Sequence, residues 1–166
     1  MSDSKAEAAS VRRPRAANGR SARTSYDKDV ILWSQEQARL LRAGRFSELD
    51  VENLADEIED VGKSEKRELA SRMAVLLAHL LKWRVQPKNR SPSWRATIND
   101  QRKRIALAIS ETPSLKAVMR EPMWQEGVWL DARAQARKET GLAERDLPEA
   151  CPWSMKQAAD LEFWPE

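Results

Sequence analysis

Residues 64–83, SEKRELASRMAVLLAHLLKW, decide the fold of this chain. Their large apolar side chains recur every three or four residues, which is the period of one face of an α-helix. The face consists of Leu69, Met73, Leu76, Leu77, Leu80 and Trp83. We expect Ser64 to begin this helix and Pro87 to end it, because proline lacks a backbone N–H and clashes with the preceding turn. The stretch therefore predicts a long helix with one buried face.

The sequence before this stretch predicts two more amphipathic helices. The first spans Asp27–Ala43, with Gly44 as a left-handed terminator. Its inward face is Val30, Trp33, Gln37, Leu40 and Leu41. Asp50 caps the second helix, whose buried stripe is predicted to be Val51, Leu54, Ile58 and Val61. Gly62 predicts a break or a kink before Ser64, because glycine inside a helix costs about 1 kcal/mol relative to alanine.

The sequence after Pro87 predicts two further long helices. Ser93 caps the fourth helix, which Pro113 closes. Its inward residues are predicted to be Trp94, Ile98, Gln101, Ile105 and Ile109. A short turn, Ser114–Glu121, precedes a fifth helix from about Pro122 to Thr140, and a loop-rich segment with one short helix after Ser154 follows. We therefore predict an all-α, single-domain helical bundle of about five main helices with a loop-rich C-terminal segment.

Composition agrees with a helical protein and narrows its class. The chain has five glycines, one tyrosine and two phenylalanines, so it offers few candidates for strands. Its single cysteine, Cys151, excludes an intramolecular disulfide and a cysteine-based metal cluster. No apolar run approaches the roughly 18 residues that a membrane span needs, and no signal-peptide core follows the N-terminus. We expect a soluble cytoplasmic protein that does not enter a membrane.

The positive net charge comes from the N-terminal segment. Residues 1–25 hold six bases and two acids, whereas the remaining 141 residues hold 23 bases and 24 acids. Because residues 1–25 also lack apolar periodicity, we predict a disordered basic tail there and a single α-helical domain over residues 26–166. A solubilising extension and a nucleic-acid-binding arm are both consistent with this composition.

Acidic side chains are concentrated just before the long helix. Residues 46–62 hold seven acids and no base. Asp56, Glu59 and Asp60 share one sector of the second helix, and a carboxylate cluster of this kind could bind Mg²⁺. His79 is the only histidine and would complete such a site, although a histidine at the edge of the core is the simpler interpretation. A solvated acidic helix face is the alternative for the carboxylates.

Basic side chains follow over residues 82–104, which hold eight bases and one acid. An anion or nucleic-acid site in this segment would use Arg84, Lys88, Arg90, Arg95 and Trp94. Cations that contact phosphates beside an aromatic ring that stacks on bases are typical of such sites. The alternative is that the tryptophans belong to the core and the bases pair with the acidic second helix. We predict that these opposite charges chiefly meet each other.

Several separate blocks of the sequence also resemble a known family. They are Asp50–Asp60 (DVENLADEIED), His79–Trp83 (HLLKW), Ser93–Arg95 with Gln101–Arg102, Pro113–Leu115, Glu139–Gly141 and Cys151–Trp153. In this order, from about Tyr26 to Pro165, they are similar to the bacterial family called domain of unknown function 29. The resemblance implies an all-helical, soluble bacterial protein, and it implies no activity, cofactor or catalytic residue.

Two classes of function follow from the sequence. The first is a non-enzymatic binding module for a protein partner or for self-association, with nucleic acid as a further partner. This interpretation requires no cofactor. The second is a divalent-metal-dependent phosphoesterase or nuclease that would use Mg²⁺ on the acidic second helix. We prefer the binding module, because the sequence offers no second acidic pair on a facing helix.

Overall fold

The computed structural model of the protein describes residues 25–166. The predicted basic tail, residues 1–25, therefore lies outside the described residues except for Ser25. The all-α prediction is confirmed, since the described chain contains helices and no strand. The helices are α1 (Val30–Arg42), α2 (Val51–Val85), α3 (Pro92–Glu111), α4 (Leu115–Val118), α5 (Pro122–Thr140) and α6 (Met155–Ala159).

The contacts of the chain group into two units, divided between Ala55 and Asp56. The single α-helical domain over residues 26–166 stays a prediction. The described part of the first unit is residues 25–55. Asp29 caps α1, because its carboxylate accepts hydrogen bonds from the backbone N–H groups of Ile31 and Leu32 at 3.1 and 3.0 Å. Gly44 follows α1 with φ +68°, which confirms the predicted left-handed terminator.

The core of the first unit joins α1 to the start of α2. Trp33, Gln37 and Leu40 are buried as predicted. Asp50 accepts a hydrogen bond from Trp33 Nε1 at 3.0 Å and donates its backbone N–H to Gln37 Oε1 at 2.8 Å. Val30 and Leu41 were predicted to face inward, but they are exposed. The observed buried side chains recur at intervals of three and four residues, which leaves Val30 and Leu41 at the edges of the stripe.

α2 is a single helix of 35 residues, so the predicted second and third helices are one. No break occurs at Gly62, and Ser64 begins no new helix. Glycine costs some helix stability but keeps its backbone N–H, so the i to i−4 hydrogen bonds can continue through it. As predicted, the helix ends just before Pro87.

The second unit, residues 56–166, surrounds the C-terminal half of α2. Its fully buried side chains include Leu69, Met73, Leu76, Leu77, Leu80, Leu81, Ile98 and Ile105. α3 starts two positions earlier than predicted. Ser91, not Ser93, is its N-cap, since Ser91 Oγ accepts a hydrogen bond from the Trp94 backbone N–H at 3.2 Å and Pro92 takes the first helical position. Trp94 and Ile109 are only partly buried, whereas Ile98 and Ile105 are buried as predicted.

A buried arginine fixes the C-terminal segment. Arg102 is 1% exposed, and its guanidinium donates hydrogen bonds to the carbonyls of Ala158, Leu161 and Phe163. Such charge-assisted bonds are stronger than neutral ones. They hold the loop-rich end of the chain, including α6, against α3. Ser154 caps α6, as the sequence predicted.

None of the helices within residues 25–166 combines the length and the apolar character that crossing a membrane would require.

Candidate functional site

The N-terminal part of α2 in the second unit is exposed to solvent. We call residues 56–68 the exposed stretch. Every residue in it except Glu57 is exposed, and the partly buried Glu57 makes a contact of its own. Ile58 and Val61 expose 71% and 67% of their surface. The predicted buried stripe is therefore wrong at these two positions and at Val51, which is also exposed.

The apolar face of the exposed stretch continues the face that is buried farther along α2. With about 100° of rotation per residue, Ile58 and Val61 lie on the same side of the helix as Leu69, Met73 and Leu76. From Leu69 onward this side is covered by the other elements of the second unit, and before Leu69 it is not. The exposed stretch therefore carries two apolar side chains, Ile58 and Val61, in line with the buried face of α2.

The predicted carboxylates are solvated and partly neutralised by a neighbouring lysine. Asp56, Glu59 and Asp60 are exposed. Lys63 Nζ lies 3.0 Å from Asp60 Oδ1 and 3.5 Å from Glu59 Oε2, as i,i+3 and i,i+4 neighbours on one helix. The three carboxylates thus lie on a solvated helix surface, which was the predicted alternative to a metal site.

His79 does not lie near these carboxylates. Both Asp60 and His79 belong to the continuous helix α2, and their separation of nineteen positions corresponds to about 28 Å along its axis. A metal ion needs ligands at about 2 Å, so this geometry does not bring His79 and the carboxylates to one ion. Within residues 25–166, no three histidine, cysteine, aspartate or glutamate side chains converge as metal ligands would.

His79 is a core-edge histidine. Its ring is 9% exposed, and Nδ1 lies 2.9 Å from the carbonyl oxygen of Val75 one turn earlier. Burial lowers the pKa of His79, and the positive charge of Lys82 lowers it further, against opposing effects of the Val75 carbonyl and Glu139. The neutral ring donates its Nδ1 proton to this carbonyl.

Lys82 is a charged side chain within the buried part of α2. It is 2% exposed and pairs with Glu139 of α5. Its ammonium also lies 4.8 Å from the centroid of the Trp94 ring. Burial alone would raise the pKa of Glu139, but hydrogen bonds from Lys82 and Gln135 and the charge of Lys82 outweigh it, so the pKa is lowered. The sequence analysis assigned no role to Glu139, because nothing in its local pattern indicates a partner 57 residues away.

The predicted anion-binding residues fall into two groups. Arg90 Nε donates a hydrogen bond to the Trp83 carbonyl at 2.9 Å, and its guanidinium lies 5.0 Å from the centroid of the Trp83 ring. Arg95 lies 5.6 Å from the Trp83 centroid and 5.0 Å from that of Trp164. These two arginines cover tryptophans. Arg84 and Lys88 are exposed and contact neither ring, and Arg90 and Arg95 are exposed as well. Trp94 is partly buried beneath Lys82.

The ion pairs shown for the two charged segments differ from the predicted ones. Within the basic segment, Lys82 pairs with Glu139 and Arg104 pairs with Asp100 at 2.8 Å. Within the acidic segment, Asp60 and Glu59 pair with Lys63. For these residues the prediction that the acidic and basic segments meet each other is wrong. The reason is that a residue and its neighbour one turn away are close whatever the tertiary fold is.

The exposed apolar side chains of Ile58 and Val61 on α2 are thus not explained by the core of the second unit. No curated protein and no solved structure matches the chain significantly. The family model described as domain of unknown function DUF29 matches residues 25–164, which is most of the chain. The chain therefore belongs to the DUF29 family.

Proposed function

We propose that this protein is an interaction module that binds another polypeptide through the apolar face of the exposed stretch of α2. The observation on which this rests is the exposure of Ile58 and Val61, at 71% and 67%, on the same face as the buried Leu69. A single exposed apolar residue needs no explanation, but two on one face of an uncovered helix indicate a contact surface.

The helix itself supports the proposal. Residues 58–68 are exposed on every side of α2. Most of the stability of a protein helix comes from packing of its apolar face, and residues 58–68 lack such packing in the described chain. A partner that packs on Ile58 and Val61 would stabilise this stretch, since fully burying one such side chain contributes about 1.5–3 kcal/mol.

The alternative functions receive less support from the geometry. A phosphoesterase would need Asp56, Glu59, Asp60 and His79 at one metal ion, and their spacing along the continuous helix α2 separates His79 from the carboxylates. Nucleic-acid binding in the basic segment would use the exposed Arg84, Lys88, Arg90 and Arg95, two of which already lie over Trp83. Such binding would be strongly salt-dependent.

Photo-crosslinking tests the proposal. A photoreactive amino acid replaces Ile58 in the full-length chain, which is expressed in the cells that naturally produce it. Leu107 on α3, which is 56% exposed, is the control position. We expect an adduct of defined mass at position 58 that is absent at position 107 and is lost when Val61→Glu is added. Mass spectrometry identifies the cross-linked polypeptide.

The absence of any adduct at position 58 would refute the proposal. Equal adducts at positions 58 and 107 would also refute it, since they would show that the reagent reports exposure and not a specific contact.

A further inference from the structure

A cleft in the second unit combines an apolar wall with positively charged side chains. Its volume is about 540 Å³, and sites for small molecules typically have about 300–1,000 Å³. We infer that this cleft binds a small organic anion that has an apolar body. The inference does not depend on the proposed function, because no residue of the exposed stretch of α2 lines the cleft.

The wall of the cleft is largely apolar. Its apolar side chains come from the end of α3, from the residue after α4 and from α6, and they are Ile109, Met119, Met155 and Ala159. Met155 is buried, and the other three are partly buried and pack against the core of the second unit. An apolar group that entered the cleft would leave water and contact this wall, which favours its binding.

Hydrogen bonds hold the elements around the cleft in place. Gln125 Nε2 donates a hydrogen bond to the Met119 carbonyl at 2.7 Å, which joins α5 to the end of α4. On the side of α6, the buried Arg102 donates hydrogen bonds to the carbonyls of Ala158 and Leu161 at 3.0 and 3.3 Å. A ligand therefore does not have to order these elements, and a site that is already ordered loses less free energy on binding.

Three cations line the same cleft, namely Lys116, Arg120 and Lys156. All three are exposed, so they lie where the cleft meets the solvent. Among residues 25–166 none of the three is paired with another side chain. Their N–H groups are thus available for charge-assisted hydrogen bonds to an anionic headgroup.

One carboxylate also lines the cleft, that of Asp160. Its Oδ1 already accepts a hydrogen bond from the Glu162 backbone N–H at 2.9 Å. Glu121 follows Arg120 in the chain but does not line the cleft. The lining therefore carries an excess of positive charge, and charge complementarity selects an anion over a cation of the same shape.

Three probes added to the full-length protein test this inference. Decanoate has an apolar chain and an anionic headgroup, decyltrimethylammonium has the same chain and a cationic headgroup, and acetate has the anionic headgroup alone. The two decyl probes are kept below the concentrations at which they form micelles. We expect decanoate to bind at least about tenfold more tightly than either of the others, because only decanoate complements both the apolar wall and the cations.

Methyl NMR of protein labelled at its methionine and isoleucine side chains measures each affinity and locates each probe. With decanoate, the methyl signals of Ile109, Met119 and Met155 should shift. Met123, which is 85% exposed on α5, and Ile58 on the exposed stretch are internal controls for non-specific contact with apolar side chains. Their signals should stay unchanged.

Variants of the chain test the role of the cations. Lys116→Gln with Arg120→Gln should weaken decanoate binding at least about tenfold, because it removes charge-assisted hydrogen bonds to the carboxylate. Lys103→Gln with Arg145→Gln is the matched control and should leave binding unchanged. It also removes one lysine and one arginine, from exposed positions that do not line the cleft. Circular dichroism verifies that both variants keep their helix content.

Four outcomes would overturn the inference. Decanoate could fail to bind, or one of the other two probes could bind as tightly as decanoate. Decanoate could shift the signals of Met123 or Ile58 and not those of Met119 and Met155. Finally, decanoate binding could survive Lys116→Gln with Arg120→Gln. None of these results affects the cross-linking at position 58, so this inference and the proposed function can fail separately.

Discussion

The two parts of α2 within the second unit form a direct comparison. Residues 56–68 and residues 69–83 belong to one helix and place their apolar side chains on one side of it. In the second part Leu77 and Leu80 are fully buried, whereas in the first part Ile58 is 71% exposed. The comparison shows that helical periodicity identifies an apolar face but does not tell whether the same chain covers it.

The ion pairs of the two parts also differ in how far their side chains are exposed to solvent. Lys63 and Asp60 form an exposed pair whose side chains are 57% and 56% accessible. In the second part, the Lys82 side chain is 3% accessible and its partner Glu139 comes from another helix. An exposed pair contributes little, because water solvates the separated charges almost as well. The Glu139 side chain is 37% accessible, so only Lys82 is buried. Removing Glu139 leaves the buried ammonium of Lys82 without its counter-charge, which is costly.

The largest expected difference concerns apolar truncation. Leu77→Ala should lower the free energy of unfolding by about 3 kcal/mol, because it removes a fully buried side chain and leaves a cavity. Ile58→Ala should change it by less than about 0.5 kcal/mol in the isolated protein, because Ile58 loses little contact. Urea unfolding of the purified chain, monitored by circular dichroism, measures both values. Similar losses of unfolding free energy for the two variants would contradict this comparison and show that the exposed stretch is packed in solution.

The next largest difference concerns the ion pairs. Glu139→Gln should lower the free energy of unfolding by about 2 kcal/mol, because it leaves the Lys82 ammonium buried without a counter-charge. Glu59→Gln is the matched control on the exposed stretch and should cost less than about 0.5 kcal/mol, since it weakens only an exposed pair with Lys63. If Glu139→Gln proves as mild as Glu59→Gln, then Lys82 is solvated and the buried part of α2 is more open than described.

The pH dependence of stability provides a second readout of Glu139. Its pKa is lower in the folded state than the ordinary value of 4.5, so the folded chain binds its proton less readily than the unfolded chain does. The resulting stabilisation is fully present above pH 4.5 and is lost as the pH falls through the lower, folded-state pKa. Glu139→Gln should therefore show a smaller loss of stability than the unsubstituted protein when the pH is lowered from about 5.

The smallest expected effect is a gain in stability. Gly62 lies in the middle of the exposed stretch, and a methyl group placed there would meet no atom within 4 Å. Gly62→Ala should raise the free energy of unfolding by about 0.5–1 kcal/mol, because alanine loses less conformational freedom in a helix. The measurement is the thermal unfolding midpoint. A loss of stability would mean that α2 bends at Gly62 in solution. It would then define more precisely where the exposed part of the helix ends and the buried part begins.

Much of the fold followed from local patterns in the sequence. The all-α class is confirmed, as are the terminator at Gly44, the end of α2 before Pro87 and the short helix after Ser154. Each depends on interactions within one or two turns of the chain. At Gly62 the helix continues, because the destabilisation by one glycine was not enough to break it. At the start of α3 the prediction chose Ser93 as the cap, but the cap is Ser91.

The candidate site followed from the sequence only in part. Two of its features can be recognised in the sequence. They are the concentration of carboxylates over residues 46–62 and the apolar period that includes Ile58 and Val61. The sequence could not show that this apolar face is left uncovered. It also could not show that Arg90 and Arg95 cover tryptophans, because the rings they contact include Trp164, which is distant along the chain.

The sequence by itself determined which residues are helical, which face of each helix is apolar and where charges of one sign accumulate, because these properties depend on neighbours within about two turns. Only the tertiary structure decided that the apolar face is buried from Leu69 onward and exposed at Ile58, that Lys82 pairs with Glu139, and that Arg102 holds the carbonyls of the C-terminal segment. Each of these depends on residues brought together from distant parts of the chain. Burial and long-range pairing are properties of the packed molecule, and local periodicity does not specify them.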